Sequence, residues 1–262
     1  LTGSLMKDIM MLDPVIGVGE IAISDHRSSQ PSFEEFAKIA ADARVAGMLS
    51  GKAGIVNVHL GDSPRRMDLI LRTVHETEIP ASQFLPTHVN RNAGLFDACL
   101  DFAAEGGTID FTGNEDIDYW ETISDEVRVC SGIRRLLDRG ISSERFTISS
   151  DGQGSIPVFN EKGEFQGSGI GNASSLLKEV RECVKREGIP LEIAVKGVTS
   201  NPASILKLGR KGRIQPGFDA DLCLLTEDTL ELCTVIAGGT IMVQNGEQRV
   251  FGTFEKRSVG SK

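Results

Sequence analysis

Cysteine is sparse and unpaired in this 262-residue chain. Its five cysteines, Cys99, Cys130, Cys183, Cys223 and Cys233, form no Cys-x-x-Cys motif. At least three fall on apolar faces of predicted helices or strands, where a free thiol packs as a small hydrophobe. That usage excludes a disulfide framework and predicts a reducing, cytoplasmic setting. Long apolar runs are missing too: none approaches the ~20 residues of a membrane helix, and the chain does not start with a basic-then-apolar signal pattern. Basic charge is short, with 28 Lys+Arg against 37 Asp+Glu and a net charge of -9. No basic run or basic-aromatic interleaving occurs, so no nucleic-acid surface is expected and the partners should be small molecules or other proteins. An initial methionine is also lacking. The opening Leu1-Thr2-Gly3-Ser4 points to processing or to a piece of a longer protein.

What is present is hydrophobic enough, at 40% of residues, to bury one large domain or one domain plus a small one. Up to about residue 150, β-rich runs alternate with amphipathic helical stretches, the pattern of parallel βα units. The runs are 15–23, 54–59, 83–88, 108–112 and 145–150. Ser32 and Glu35 predict a capping box opening the first helix, and Ser63-Pro64 predicts the start of the second. Apolar faces follow at Met67, Ile70, Leu71 and Val74, at Leu95, Phe96, Cys99, Phe102 and Ala103, and at Val127, Cys130, Ile133 and Leu136. Repeats of this kind fit a (β/α)8 barrel or an open doubly wound sheet. After Asp151 come a Gly-rich loop that includes Gly167–Gly171, a helix over 172–185 and a helical stretch over 191–208. Short strands follow at 221–225, 234–236 and 240–243, with Asn245-Gly246 as a hairpin signal. The expected domains are therefore 1–208 and 209–262.

The polar residues at strand ends carry the chemistry. His59, His88 and Asp151 each close a predicted strand, with Glu20 and Ser24-Asp25 near the end of the first. In a parallel barrel those ends converge on one mouth. Two imidazoles with carboxylates form a mixed nitrogen and oxygen site suited to Zn²⁺ and acceptable to Mn²⁺, Fe²⁺ or Co²⁺, and hydrolysis is the reaction it most readily supports. A lone histidine at a strand end is more often a loop hydrogen-bonder; two in consecutive units with a carboxylate two units later favour a ligand set. His75, on a helix beside Glu76, and His26, in a loop, read as solvated. Arg27 and Arg91 follow two of these strands and would reach the same mouth, which suggests recognition of a carboxylate. Tyr119 and Trp120 read as packing or lid residues.

Several segments resemble the isoaspartyl (β-aspartyl) dipeptidases of the amidohydrolase superfamily in order and spacing. They are Ala22-Ile23-Ser24-Asp25-His26-Arg27, His59-Leu60-Gly61-Asp62, Leu85-Pro86-Thr87-His88-Val89-Asn90-Arg91-Asn92, Gly106-Gly107-Thr108-Ile109-Asp110, Ser149-Ser150-Asp151-Gly152 and Pro216-Gly217-Phe218-Asp219-Ala220-Asp221-Leu222. The resemblance implies a (β/α)8 TIM barrel, of which the last five strands lie here, plus part of a small C-terminal β-sandwich. It implies two Zn²⁺ ions per complete site, with Co or Mn as possible substitutes. His59 and His88 would hold one ion, and Asp151 would ligate the other and serve as the catalytic proton shuttle. Arg27, Arg91 and Ser155 would bind a β-aspartyl dipeptide, cleaved by a metal-bridging hydroxide. A homo-oligomer is implied as well.

Two departures stand out. Where family members carry a carboxylated lysine bridging the metals, this chain has Glu20, which offers the same two-oxygen anionic bridge and is expected to be a ligand. The family's first-strand His-x-His is absent, and five strand signals stand where a barrel needs eight. The expectation is a fragment of a longer enzyme, inactive alone and with open sheet edges. Two other functions fit the same residues: another amidohydrolase, dihydroorotase-like or an N-acyl-amino-acid deacylase, and a non-catalytic scaffold lacking one metal half-site.

Overall fold

The computed structural model describes residues 2–114, 117–160, 165–253 and 255, with backbone alone at 155–159 and 165. The chain divides into two compact units, Leu1–Lys207 and Leu208–Lys262.

In the first unit helices and strands alternate: α1 (Leu5–Met11), β1 (Gly17–Ile23), α2 (Phe33–Ser50), β2 (Ile55–Leu60), α3 (Asp68–Glu76), β3 (Phe84–Thr87), α4 (Ala93–Ala104), β4 (Ile109–Thr112), α5 (Ile117–Ser124), α6 (Val129–Asp138) and β5 (Phe146–Ser149). The five strands are parallel and ordered β1-β2-β3-β4-β5. Each strand neighbours the next in sequence and the order never reverses. That is the arrangement of successive units in a (β/α)8 barrel; a doubly wound sheet reverses order at its switch point.

Local chemistry starts these helices where the sequence says. Ser32 Oγ accepts from Glu35 N at 3.3 Å and Glu35 Oε2 accepts from Ser32 N at 2.8 Å, completing the capping box of α2. Asn92 Oδ1 caps α4 by accepting from Leu95 N at 2.8 Å. The second helix corrects the sequence expectation: α3 begins at Asp68, not at Ser63-Pro64. Ser63 O instead accepts from Arg66 N at 3.0 Å, closing a turn, and Arg66 takes φ +45, which no helix continues through.

The core lies between the sheet and the helices packed on it. Phe36 of α2 stacks on Phe84 of β3 at 5.6 Å. Phe96 of α4 and Phe146 of β5 meet Phe111 of β4 at 5.6 and 6.5 Å. Gly132 lets α6 sit on that cluster, because a Cβ there would lie 2.5 Å from the Phe111 ring.

Beyond β5, the run Gly167–Gly171 corrects its reading as a loop. Most of it belongs to β7 (Phe165–Ile170), which pairs antiparallel with β6 (Ser155–Phe159) in a two-stranded hairpin. Glycines mask the strand in sequence because they leave no alternating apolar face to read. After α7 (Ser175–Lys185), the stretch 191–208 is broken rather than continuous: α8 (Leu191–Ala194), a 3-10 turn at Val195–Val198 and α9 (Ser200–Ile205). Thr199, at φ -130 and ψ -89, interrupts it.

The second unit is one antiparallel sheet, ordered β11-β10-β9-β8, of β8 (Leu222–Leu225), β9 (Leu232–Ala237), β10 (Thr240–Gln244) and β11 (Glu247–Gln248). Asn245 and Gly246 take φ +54 and +78 in the two-residue turn joining β10 to β11, the left-handed conformations this dipeptide accepts most readily.

Phe111 has no exposed surface and centres the aromatic cluster. Phe111→Ala is expected to lower the unfolding free energy by about 3–5 kcal/mol, read by denaturant titration.

Candidate active site

Strand register builds the site. Reading across the sheet, Ala22 pairs with His59, His59 with Thr87, Thr87 with Asp110 and Asp110 with Thr147. One level of the sheet therefore carries an imidazole, two hydroxyls and a carboxylate from consecutive strands. Asp110 is buried, and Thr87 Oγ1 donates to its Oδ2 at 2.6 Å while Thr147 and Ser149 hydroxyls donate to its two oxygens. Burial raises the Asp110 pKa, and the three hydroxyls oppose that shift.

Glu20 reaches the same place through a bulge. The β1–β2 register shifts between Val18 and Ile21, so that two β1 residues oppose Asn57 alone. Such a bulge re-aims a side chain. Gly19 permits it, at φ +153 and with a Cβ position only 2.7 Å from the Asn57 Cβ.

Among the described residues, Glu20, His59 and His88 each bring one ligand atom within 4.8 Å of the others. His59 Nδ1 lies 3.4 Å from Glu20 Oε2, His88 Nε2 lies 3.6 Å from Glu20 Oε1, and the imidazole centres are 4.5 Å apart. The adjacent imidazoles of His59 and then His88 hold the Glu20 carboxyl well below the usual carboxylate range. The outer nitrogens are engaged as well. His88 Nδ1 meets Thr112 Oγ1 at 2.7 Å, and His59 Nε2 meets Asp25 Oδ2 at 3.1 Å. Two imidazoles and a carboxylate with their outer atoms held suit a divalent cation, zinc foremost.

Three strand ends turn through left-handed residues: Ser24 at φ +54, His88 at +61 and Asp151 at +47. Each costs on the order of 1 kcal/mol or more, and such strain gathers where side chains must be aimed. Asp151 lines a cavity of about 370 Å³ together with Glu20, His88, Asp110 and Ser149. Arg27 hydrogen-bonds Asp25 through Nε at 3.0 Å and Nη2 at 2.7 Å. Its Nη2 comes within 3.3 Å of His59 Nε2. Among the described residues Arg91 presents a buried Nε with no hydrogen-bond partner, and burial followed by the charge of Arg27 lowers its pKa. An orphaned guanidinium donor beside a second arginine is the signature of a place for an anion. The side chain of Ser155 lies outside the described residues. His75 Nε2 lies 3.3 Å from Glu105 Oε2 on the surface, and the His26 side chain is exposed.

Residues 57–242 match the amidohydrolase family. The chain belongs to that family. A β-aspartyl dipeptidase from the thermophilic, keratin-degrading Fervidobacterium islandicum AW-1, solved in complex with the β-Asp-Leu dipeptide, is 42% identical with a TM-score of 0.86. The match covers 97% of this chain and 64% of that one. A second structure of a β-aspartyl dipeptidase from the same organism is 40% identical with a TM-score of 0.84, covering 97% and 63%. N-acetylglucosamine-6-phosphate deacetylase from Pasteurella multocida shares the fold alone, at 16% identity, TM-score 0.53 and coverage of 82% and 55%. This amidohydrolase chain thus spans a little under two-thirds of the length of the dipeptidase it resembles.

Sequence reasoning left Asp110, Thr112, Asn90 and Glu126 without roles. Asn90 Oδ1 accepts from Thr112 N at 2.9 Å, and its Nδ2 donates to Thr112 O at 3.1 Å and Glu126 Oε1 at 3.3 Å, locking the loop between His88 and Arg91. The two-residue spacing of Asp110 and Thr112 put both on the face of β4 that His88 meets, a signal legible once the strands are placed. Glu126, in a loop, offered none.

Burial pushes the carboxyls of Glu126 and Glu179 up to about 7. The folded amidohydrolase chain keeps protons there that the unfolded chain releases near its ordinary value of 4.5, so stability falls as pH rises between those values. Glu126→Gln should raise stability by on the order of 1–3 kcal/mol at pH 8 and leave it unchanged at pH 4, read by thermal unfolding at both pH values.

Proposed function

We infer that the whole protein is a zinc-dependent dipeptidase that hydrolyses β-aspartyl (isoaspartyl) dipeptides. The observation that carries this reading is the convergence of Glu20, His59 and His88 at the strand ends, in a chain 42% identical to a dipeptidase whose structure holds β-Asp-Leu. The donor set fits a zinc ion: imidazole nitrogens at Nδ1 of His59 and Nε2 of His88, and a two-oxygen anion at Glu20. A divalent cation, when bound, supplies Lewis acidity and a water of lowered pKa. Glu20 stands where the family's carboxylated lysine would bridge two ions, and Asp151 would help to hold the second.

The chain's own residues divide the remaining work. Asp151, in the cavity beside Glu20 and His88, takes the proton of the attacking water and returns it to the leaving amine. Arg91, whose buried Nε–H has no partner among the described residues, and Arg27 beside it bind the substrate's carboxylate, with Ser155 as a further contact. The arginine pair holds the substrate's free aspartyl carboxylate through its guanidinium donors, which selects an aspartyl residue over one without that carboxylate. The resemblance also carries a cytoplasmic homo-oligomer.

The whole protein is expected to cleave β-Asp-Leu and leave α-linked Asp-Leu intact. Glu20→Ala should lose both metal, by elemental analysis, and activity. Asp151→Asn should lower kcat about 10²–10⁴-fold, and Arg91→Ala should raise KM for the dipeptide. Metal uptake with no cleavage of β-Asp-Leu would contradict the substrate, and failure to take up metal would contradict the reading altogether.

A further inference from the structure

Asp25 lies two residues beyond β1, with a side chain 2% exposed. Its Oδ1 accepts from the Arg27 backbone N–H at 2.7 Å and from Arg27 Nε at 3.0 Å. Its Oδ2 accepts from Arg27 Nη2 at 2.7 Å and lies 3.1 Å from His59 Nε2. The loop bearing it is fixed from below: Gly61 packs so closely that a Cβ there would fall 2.6 Å from the Asp25 Cα, and Gln30 Nε2 donates to Asp25 O at 2.9 Å. One buried carboxylate therefore touches a histidine of the ligand cluster on its outer nitrogen and grips the fork of an arginine on the other side. The His59 ring stands between two carboxylates, with Nδ1 towards Glu20 and Nε2 towards Asp25.

We propose that Asp25 is a positioning residue for two functional groups at once: it takes the Nε2–H of His59, leaving Nδ1 for the metal, and it clamps the Arg27 guanidinium in place for the substrate's carboxylate. This rests on the roles inferred above for His59 and Arg27. A carboxylate on the outer nitrogen of a ligating histidine fixes its tautomer and raises its basicity.

The test uses the 262-residue chain. Zinc affinity is measured by competition with a chromophoric chelator, and the Arg27 Nε–H and His59 Nε2–H signals are followed by NMR. Asp25→Asn keeps shape and volume but turns an amide N–H towards a donor, whichever way the amide flips. A role in packing alone would be rescued by this variant. The positioning role predicts a 10–100-fold loss of zinc affinity and faster solvent exchange at Arg27 Nε–H. If Asp25→Asn does not fold, Asp25→Ser, which removes the charge without introducing a mismatched donor, should show the same losses. A folded variant with wild-type zinc affinity and both signals retained overturns the proposal. If the wild-type chain takes up no zinc, the metal reading fails separately. The two NMR signals then decide: loss of either in the variant supports the positioning role and retention of both overturns it.

Discussion

A carboxylate buried among three hydroxyls sets the geometry on which the site depends. Asp110 can sit inside the sheet because Thr87 on one side and Thr147 and Ser149 on the other donate to it. Hydrogen bonds are worth about 0.5–1.5 kcal/mol each, which together offset part of the cost of burying the Asp110 carboxyl group. Those bonds form only when β3, β4 and β5 keep their register, since a shift of one residue would turn every partner to the opposite face. The same register brings His59 level with Thr87 and sets Thr112, two residues further along β4, against His88. Polar satisfaction inside the sheet and aim at its mouth are thus one constraint.

Above that level the chain accepts local cost to direct its functional groups. The bulge at Gly19-Glu20 gives up regular pairing so that Glu20 can face both imidazoles. His88 and Asp151 occupy left-handed backbone that residues with a Cβ seldom adopt. Arg91 buries a donor that has no partner among the described residues. Each is unfavourable for folding alone, and each becomes useful with a cation and an anionic ligand in place, the pattern of a site preorganised for what it binds. The aromatic cluster around Phe111 and the capping box of α2 supply stability elsewhere.

Much of this was legible in the residues. Alternating runs located all five parallel strands, because runs rich in β-branched and apolar residues stand between clear helix stops. Strand-end positions singled out His59, His88 and Glu20, since inward-facing polar residues at those ends have little structural reason to be there. The start of α3 was misplaced because Ser63-Pro64 opens a turn as readily as a helix, and only Arg66's backbone ends it. β7 was missed because Gly167 and Gly169 erase the alternation that marks a strand. The outer holders, Asp25 and Thr112, could not be assigned from sequence: their roles depend on which nitrogen of each histidine faces inward, which register and loop packing decide.

The central claim is that Glu20, His59 and His88 are the ligands of one divalent cation. Diffraction from zinc-loaded crystals at the zinc absorption edge tests it most directly. The account predicts an anomalous peak about 2.0–2.2 Å from His59 Nδ1, His88 Nε2 and a Glu20 oxygen. Absence of a peak among these three residues, or a peak touching either histidine through its other nitrogen, would contradict it.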